Sequence, residues 1–251
     1  MDPRGTTPAG ALPTLVIIGA MKCGTTSLHR YLDLHPEVAM SGHKELNFFF
    51  GPVDGEPDPM RGNWARGVDW YAARFDPAAA VRGEASPGYT SPDHPEVAGR
   101  MASVVPDARL VYAVRDPVDR AVSQYWHHRR EGTEARGPEE ALLDPRSQYV
   151  ARGRYLERLA PFLSAGFADR VAVVAQEDLR DRPRATMRRL FAWLGVDEGH
   201  WSPGMAERRN SAPEPARPLS AAVRDGLRDA VRDDADRLRE FTGQAFPQWS
   251  V

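Results

Sequence analysis

The stretch LVIIGAMKCGTTSL, residues 15–28, decides how the chain is read. Thr14–Gly19 is a β-branched, apolar run set between Pro13 and Gly19, the pattern of a buried strand. From Thr25 to Leu34 the apolar spacing changes to that of a helix, with Thr25 or Thr26 placed to cap it and Pro36 to end it. A strand, a glycine-containing turn and a helix in that order aim the helix's free N–H groups and positive dipole end into the turn. Lys22 adds a point charge there, and Thr25, Thr26 and Ser27 add hydroxyl donors. The expected product is a cradle for a phosphate or sulfate oxyanion.

Further along, the same alternation returns. Arg109–Val114 reads as a second buried strand, followed by Asp116-Pro117 and a helix through about Arg130. Tyr155–Leu163 reads as an amphipathic helix and Arg170–Ala175 as a third strand. Arg184–Leu194 is a helix ended by Gly195. Leu219–Phe241 is a long charged helix with apolar positions at Val223, Leu227, Val231 and Leu238, expected to be simply solvated. Strands alternating with helices predict an α/β, P-loop-like three-layer fold with a central, mostly parallel sheet of about five strands flanked by helices. Asn47–Asp58 reads as an irregular loop in which Phe48, Phe49 and Phe50 form core or pocket wall. Gly132–Arg146 reads as a surface excursion and Glu207–Pro218 as irregular. Met1–Leu12 is expected to be a disordered lead-in to a single domain over residues 13–251.

Composition narrows the function classes. A chain of 251 residues with 41% hydrophobic and 27% charged residues fits one globular domain. The formal net charge of −2 offers no global basic field for nucleic acid, so any anion site must be local. No apolar run approaches the ~18–20 residues of a membrane span. The first twelve residues carry one Arg and no apolar core, unlike a secretory signal. The single cysteine, Cys23, excludes an internal disulfide and a cysteine-based zinc site, and a cytoplasmic location is expected. Of 33 basic residues only Lys22 and Lys44 are lysines. A chain rich in Ala, Arg, Asp and Pro points to a GC-rich bacterial genome, where lysine drifts to arginine. The two survivors are therefore suspects for chemistry that needs a compact ammonium.

A second anion site lies in RLVYAVRDPVDRAVSQY, Arg109–Tyr125. Arg115 stands at the C-terminal edge of its strand, where open α/β sheets bind ligands. Ser123 follows eight residues later, and an arginine fork with a nearby hydroxyl grips a phosphate. The plainer reading is an ion pair of Arg115 with Asp116 or Asp119. The first loop departs from the triphosphatase pattern G-x-x-x-x-G-K-S/T, because Lys22 precedes Gly24 instead of following it. No strand ends in an unambiguous magnesium-binding Asp. An ATP-dependent small-molecule kinase with an atypical P-loop remains an alternative, as does a non-catalytic anion binder.

Taken together, MKCGTTSL and the R-x-x-x-x-x-x-x-S spacing resemble the sulfotransferases that use 3′-phosphoadenosine 5′-phosphosulfate (PAPS), and within them the carbohydrate branch typified by heparan sulfate N- and 3-O-sulfotransferases. The resemblance implies that Lys22 contacts the phosphosulfate and that Cys23, Gly24, Thr25, Thr26 and Ser27 hold the 5′-phosphate. It implies that Arg115 and Ser123 hold the 3′-phosphate, which ATP lacks. Glu45, two residues before an x-Phe-Phe stretch, matches the branch's catalytic base, with Lys44 beside it. Glu84 and Tyr89 match an acceptor-side segment E-K-S/T-x-x-Y, except that Ala85 stands where the branch has a lysine. His127 matches a histidine of a Tyr-x-His-x-Arg stretch and assists or binds the acceptor. Arg208 or Arg209, in AERRNSAP, falls in a loop that closes over the donor, without the branch's cysteine pair. The implied reaction is in-line sulfuryl transfer to a hydroxyl or amine of a small-molecule or glycan acceptor. It needs no metal and leaves adenosine 3′,5′-bisphosphate.

Overall fold

The computed structural model describes residues 12–53, 62–144, 146–207 and 219–251. Five strands, β1 (Leu15–Gly19), β2 (Val38–Met40), β3 (Val81–Ala85), β4 (Arg109–Val114) and β5 (Val171–Ala175), form one sheet in the order β2-β3-β1-β4-β5. Every pairing is parallel, with Leu15 beside Gly83 on one side and Arg109 on the other. Parallel strands need crossovers, and helices supply them: α1 (Thr25–Asp33), α2 (Gly67–Ala72), α3 (Val97–Val104), α4 (Pro117–Glu131), α5 (Pro138–Leu143), α6 (Gln148–Ala151), α7 (Tyr155–Phe162), α8 (Gln176–Asp181), α9 (Pro183–Leu194) and α10 (Ala221–Thr242). Leu15, Val16, Ile17 and Ile18 are all at 0% exposure because both faces of the sheet are covered. Burying each such side chain is worth about 2 kcal/mol, so β1 anchors the core. It is also closely packed at its end. A Cβ on Gly19 would fall 2.3 Å from the Thr90 hydroxyl and 2.8 Å from the Tyr112 ring, so only glycine fits.

The three strands expected from apolar runs lie where the sequence places them. The two remaining strands, β2 and β3, are short or carry polar residues. The stretch 41–53 contains no regular element, as expected, and Phe48, Phe49 and Phe50 are buried. Phe48 stacks on Tyr71 at 4.2 Å, fixing this segment against α2. Residues 1–11 and 54–61, which include most of the expected lead-in and the end of that loop, lie outside the described residues.

Two sequence expectations are corrected. Gly132–Arg146 is not a surface excursion. It contains α5, whose Ala141 and Leu142 are at 0% exposure in a second apolar cluster with α4 and α10. Glu134 is buried there too, accepting from Arg136 at 2.7 Å and from the Tyr149 hydroxyl at 3.1 Å. Nor is α10 simply solvated. Val223, Leu227, Val231 and Leu238 form its buried face, at i, i+4, i+8 and i+15. Its Asp234 accepts from the backbone N–H groups of Leu156 and Glu157, both at 2.9 Å. That carboxylate caps the free amides at the start of α7, a job ordinarily done by a residue of the same helix.

The cap gives a direct test of the α7–α10 contact. Asp234→Ala is expected to lower unfolding stability by about 1–2 kcal/mol. Asp234→Asn, which keeps an acceptor oxygen, should recover part of it. Urea denaturation of the three proteins measures this, and an unchanged midpoint in the alanine variant would refute the capping role.

Candidate active site

All parallel strands deliver their loops to one edge, and each loop there carries polar chemistry. In sheet order these are the Lys44–Glu45 turn beyond β2 and β3, Lys22 after β1, Arg115 after β4 and Gln176 after β5. The Glu45 N–H donates to the Ala85 carbonyl at 2.8 Å, continuing the β2–β3 edge past the last paired residue.

The turn from β1 into α1 is made by left-handed backbone at Lys22 (φ 70°) and at Gly24 (φ 78°). Gly24 is the N-cap of α1, with no side-chain cap and no acidic residue in the first turn. The amides of that turn are therefore free to meet an anion, and the helix dipole favours one. A Cβ on Gly24 would come within 3.2 Å of Gln176 Cγ. Gln176 therefore covers the loop from β5, and its buried Oε1 has no partner among the described residues. Thr26 is exposed, Ser27 is half-buried and Thr25 is turned inward at 5% exposure. Cys23 is fully buried, and burial pushes its thiol up to about 11. A thiol so held is a packing and hydrogen-bonding group, not a nucleophile.

Lys22 is half-buried, and desolvation lowers its pKa, helped by the charges of Arg130 and Arg115 and opposed by Glu131. Those neighbours identify the wall opposite the loop as α4. Asp119, Ser123, His127 and Glu131 fall at four-residue intervals along α4, one stripe of the helix. His127 Nε2 meets Glu131 Oε1 at 3.1 Å. Burial and then the Lys22 charge lower its pKa, favouring the neutral imidazole. Arg115 and Asp119 stand 4.0 Å apart, a loose pair, and Asp119 also receives Arg224 at 3.3 Å. Asp116 does not pair with Arg115. It caps α4 by accepting from Val118 and Asp119 N–H at 2.9 and 3.0 Å. The structure thus brings together Lys22, Arg115 and His127, with Ser123 on the same stripe of α4 as His127, and adds Arg130 and Glu131, which the sequence does not single out.

On the other side of Lys22, the Lys44 ammonium pairs with Glu45, whose carboxylate is about half exposed. Glu45 has a left-handed backbone (φ 66°), as does Asn47 (φ 48°), so the turn presents Glu45 outward. What holds this turn is Glu84. Its side chain is at 0% exposure and accepts from the Tyr71 and Tyr89 hydroxyls at 2.7 Å each and from Ser86 Oγ at 2.6 Å. Ser86 Oγ in turn accepts from Asn47 N–H at 3.0 Å, and the Tyr89 hydroxyl from Phe48 N–H at 2.9 Å. The acceptor-side reading of Glu84 and Tyr89 gives way to this positioning one, because both are closed inside the fold. Ala85, also at 0% exposure, offers no charge there. Arg208 and Arg209 lie outside the described residues. Among the described residues no cluster of three or more His, Cys, Asp or Glu is arranged to hold a metal ion. None of the described helices is long and apolar enough to cross a membrane.

Comparison with known proteins bears on the family and the fold. Residues 60–203 match a family described as the sulfotransferase family. The chain is 29% identical over 204 residues to the bifunctional heparan sulfate N-deacetylase/N-sulfotransferase 1 of Caenorhabditis elegans, covering 75% of this chain and 22% of that protein. It thus spans roughly a quarter of the length of the curated relatives it matches. A crystal structure of a sulfotransferase from Alicyclobacillus acidocaldarius superposes with a TM-score of 0.75 at 28% identity, covering 95% of this chain and 99% of that one. The sulfotransferase domain of the Synechococcus olefin synthase shares the fold, with a TM-score of 0.57 at 18% identity.

The buried carboxylate generates a pH prediction. Burial outweighs the three hydroxyl bonds and raises the Glu84 pKa above its ordinary value. The folded state therefore holds this proton to higher pH than the unfolded chain. The group's stabilising contribution is complete below the unfolded pKa and is lost as pH rises through the folded one. As pH rises from the ordinary glutamate range, about 4, through the higher value that burial sets for Glu84, the wild type should lose stability relative to Glu84→Gln. Paired urea titrations measure that difference, and a constant gap across the range would contradict the assignment.

Proposed function

Because the chain belongs to the sulfotransferase family, we propose that it moves the sulfuryl group of PAPS to a hydroxyl or amine of a small-molecule or glycan acceptor. The observation that carries this reading is the pairing of two cationic loops on the adjacent central strands β1 and β4, one of them opening an uncapped helix. A nucleotide with phosphate on both its 3′ and 5′ positions matches two such loops, whereas ATP presents a single polyphosphate chain.

In this reading the first-turn amides of α1, with Thr26 and Ser27, hold the 5′-phosphate, and Arg115 with Ser123 holds the 3′-phosphate. Lys22, half-buried and facing α4, meets the charge that develops on the leaving phosphate oxygen as the S–O bond breaks. The Glu45 carboxylate, outward-facing and beside Lys44, takes the acceptor proton as the new bond to sulfur forms. His127, neutral at ordinary pH, binds or assists the acceptor from the α4 side. The relatives' printed names place an N-sulfotransferase activity on heparan sulfate in those proteins. For this chain the acceptor class is set by the surroundings of Glu45, and Ala85 adds no cation to them. The donor reading accords with a cytoplasmic enzyme, the compartment that the single cysteine also suggests.

Calorimetric titration of adenosine 3′,5′-bisphosphate beside ATP and adenosine 5′-phosphate, without magnesium, tests the donor. The bisphosphate is expected to bind at least tenfold more tightly than either, and Arg115→Ala to remove most of that preference. Glu45→Gln should leave this affinity unchanged while lowering sulfuryl transfer by about 10²-fold or more. Preference for ATP, or a requirement for magnesium, would replace this reading with the kinase.

A further inference from the structure

Tyr155 opens α7 and is at 0% exposure, yet its hydroxyl reaches both anion-binding loops. It donates to the Arg115 carbonyl at 2.8 Å and accepts from the Arg115 N–H at 3.3 Å. Its third contact is Cys23 Sγ, at 3.4 Å. A phenol has one proton. The short contact to the carbonyl takes it, so the Cys23 thiol is the donor in the remaining bond. That agrees with a buried thiol that keeps its proton through the neutral range. One oxygen thus ties the residue between Lys22 and Gly24 to both backbone groups of Arg115.

The ring that carries this oxygen cannot swing aside. It packs edge-on to Tyr112 of β4 at 5.8 Å and lies against Trp249 at 5.8 Å. The backbone just after it is held by Asp234 of α10. Packing alone would be met by phenylalanine, and a buried hydroxyl is costly unless bonded. Here its partners are the two loops and not the surrounding framework.

We propose that Tyr155 is a positioning residue that sets the separation between the two anion-binding ends of the nucleotide site; the inference rests on the donor reading above. With both its N–H and C=O engaged, Arg115 has its backbone direction fixed, and so the origin of its guanidinium. Cys23 fixes the depth of the phosphate loop against the same oxygen. A ligand with an anionic group at each end is selected by that spacing. A ligand with one anionic group is indifferent to it.

Titration of the full chain with adenosine 3′,5′-bisphosphate and adenosine 5′-phosphate tests this. Tyr155→Phe is expected to weaken the bisphosphate about tenfold and the monophosphate no more than about twofold. In turnover assays KM for the donor should rise while kcat at saturating donor stays near the wild-type value. Adding Tyr155→Phe to Arg115→Ala should cost little more than Arg115→Ala alone on the bisphosphate. Equal losses on both nucleotides would mark a merely structural residue and overturn the proposal, as would wild-type binding of both. Should the phenylalanine variant not fold, Cys23→Ala cuts the same bridge at its other end, and unchanged discrimination there also overturns it. A wild-type protein that does not prefer the bisphosphate sinks the donor reading, and the proposal with it.

Discussion

The structure depends on the turn that leaves β1. That strand is flanked by β3 and β4, so its loop has no lateral room and must enter α1 at once. The chain manages this with left-handed backbone at Lys22 and Gly24, one of them at a residue that ordinarily avoids it. A β-carbon tolerates that conformation only where the surroundings over-determine it. Here the surroundings are the buried Cys23 between the two residues and the Gln176 side chain packed over Gly24. The consequence is an α-helix that begins with no side-chain cap and no acid near its amides. Donors left unpaired at a helix start need water or an anion. At the C-terminal edge of a parallel sheet, an anionic ligand is the partner the architecture favours.

Everything beyond the sheet serves to keep that edge in place. The second apolar cluster, built from α4, α5, α6 and α10, braces the helix whose stripe faces Lys22. Arg120, at 0% exposure, bonds the side chain of Gln124 and the carbonyl of Tyr149, while Gln124 reaches Gln148 at 3.0 Å. These bonds lock α4 to α6, whose last residue, Ala151, is separated by three residues from Tyr155 at the start of α7. The exposed pairs along α10, such as Arg228 with Asp225 and Arg239 with Asp236, contribute little by comparison. Its apolar face and the Asp234 cap are what bind it to the fold.

What could be read in the sequence follows from how each element is buried. Strands β1, β4 and β5 are legible because both faces of a parallel sheet are covered, which writes them as unbroken apolar runs. The strand VRGEA is not, since it carries Arg82 and Glu84 in a buried layer. Glu84 survives there only because three hydroxyls from distant positions converge on it, and nothing local announces them. The same limit applies at the site. Lys22, Gly24 and the hydroxyls after them mark a candidate anion loop through local spacing alone. Arg130 and Glu131 become part of it only once α4 is laid across the loop. Tyr155 lies 132 residues from Cys23, and its hydroxyl is indistinguishable in sequence from that of any amphipathic-helix tyrosine.

The near-absence of lysine becomes intelligible in this setting. Arginine serves almost everywhere in the chain, on exposed ion pairs and over the faces of Trp64 and Trp70. At position 22 the cation is half-buried between Arg115 and Arg130, with Glu131 as counter-charge. A guanidinium there would bring a wide, always-charged plane into a site already crowded by two others. An ammonium is compact, and its pKa yields to the neighbouring charge. Three cations around one loop repel one another in the absence of a ligand, and that repulsion is relieved when negative charge arrives. The same charges that oppose folding of the empty site therefore favour the occupied one. On the proposed donor reading, the electrostatic cost of leaving the site empty adds to its affinity for a two-ended anion.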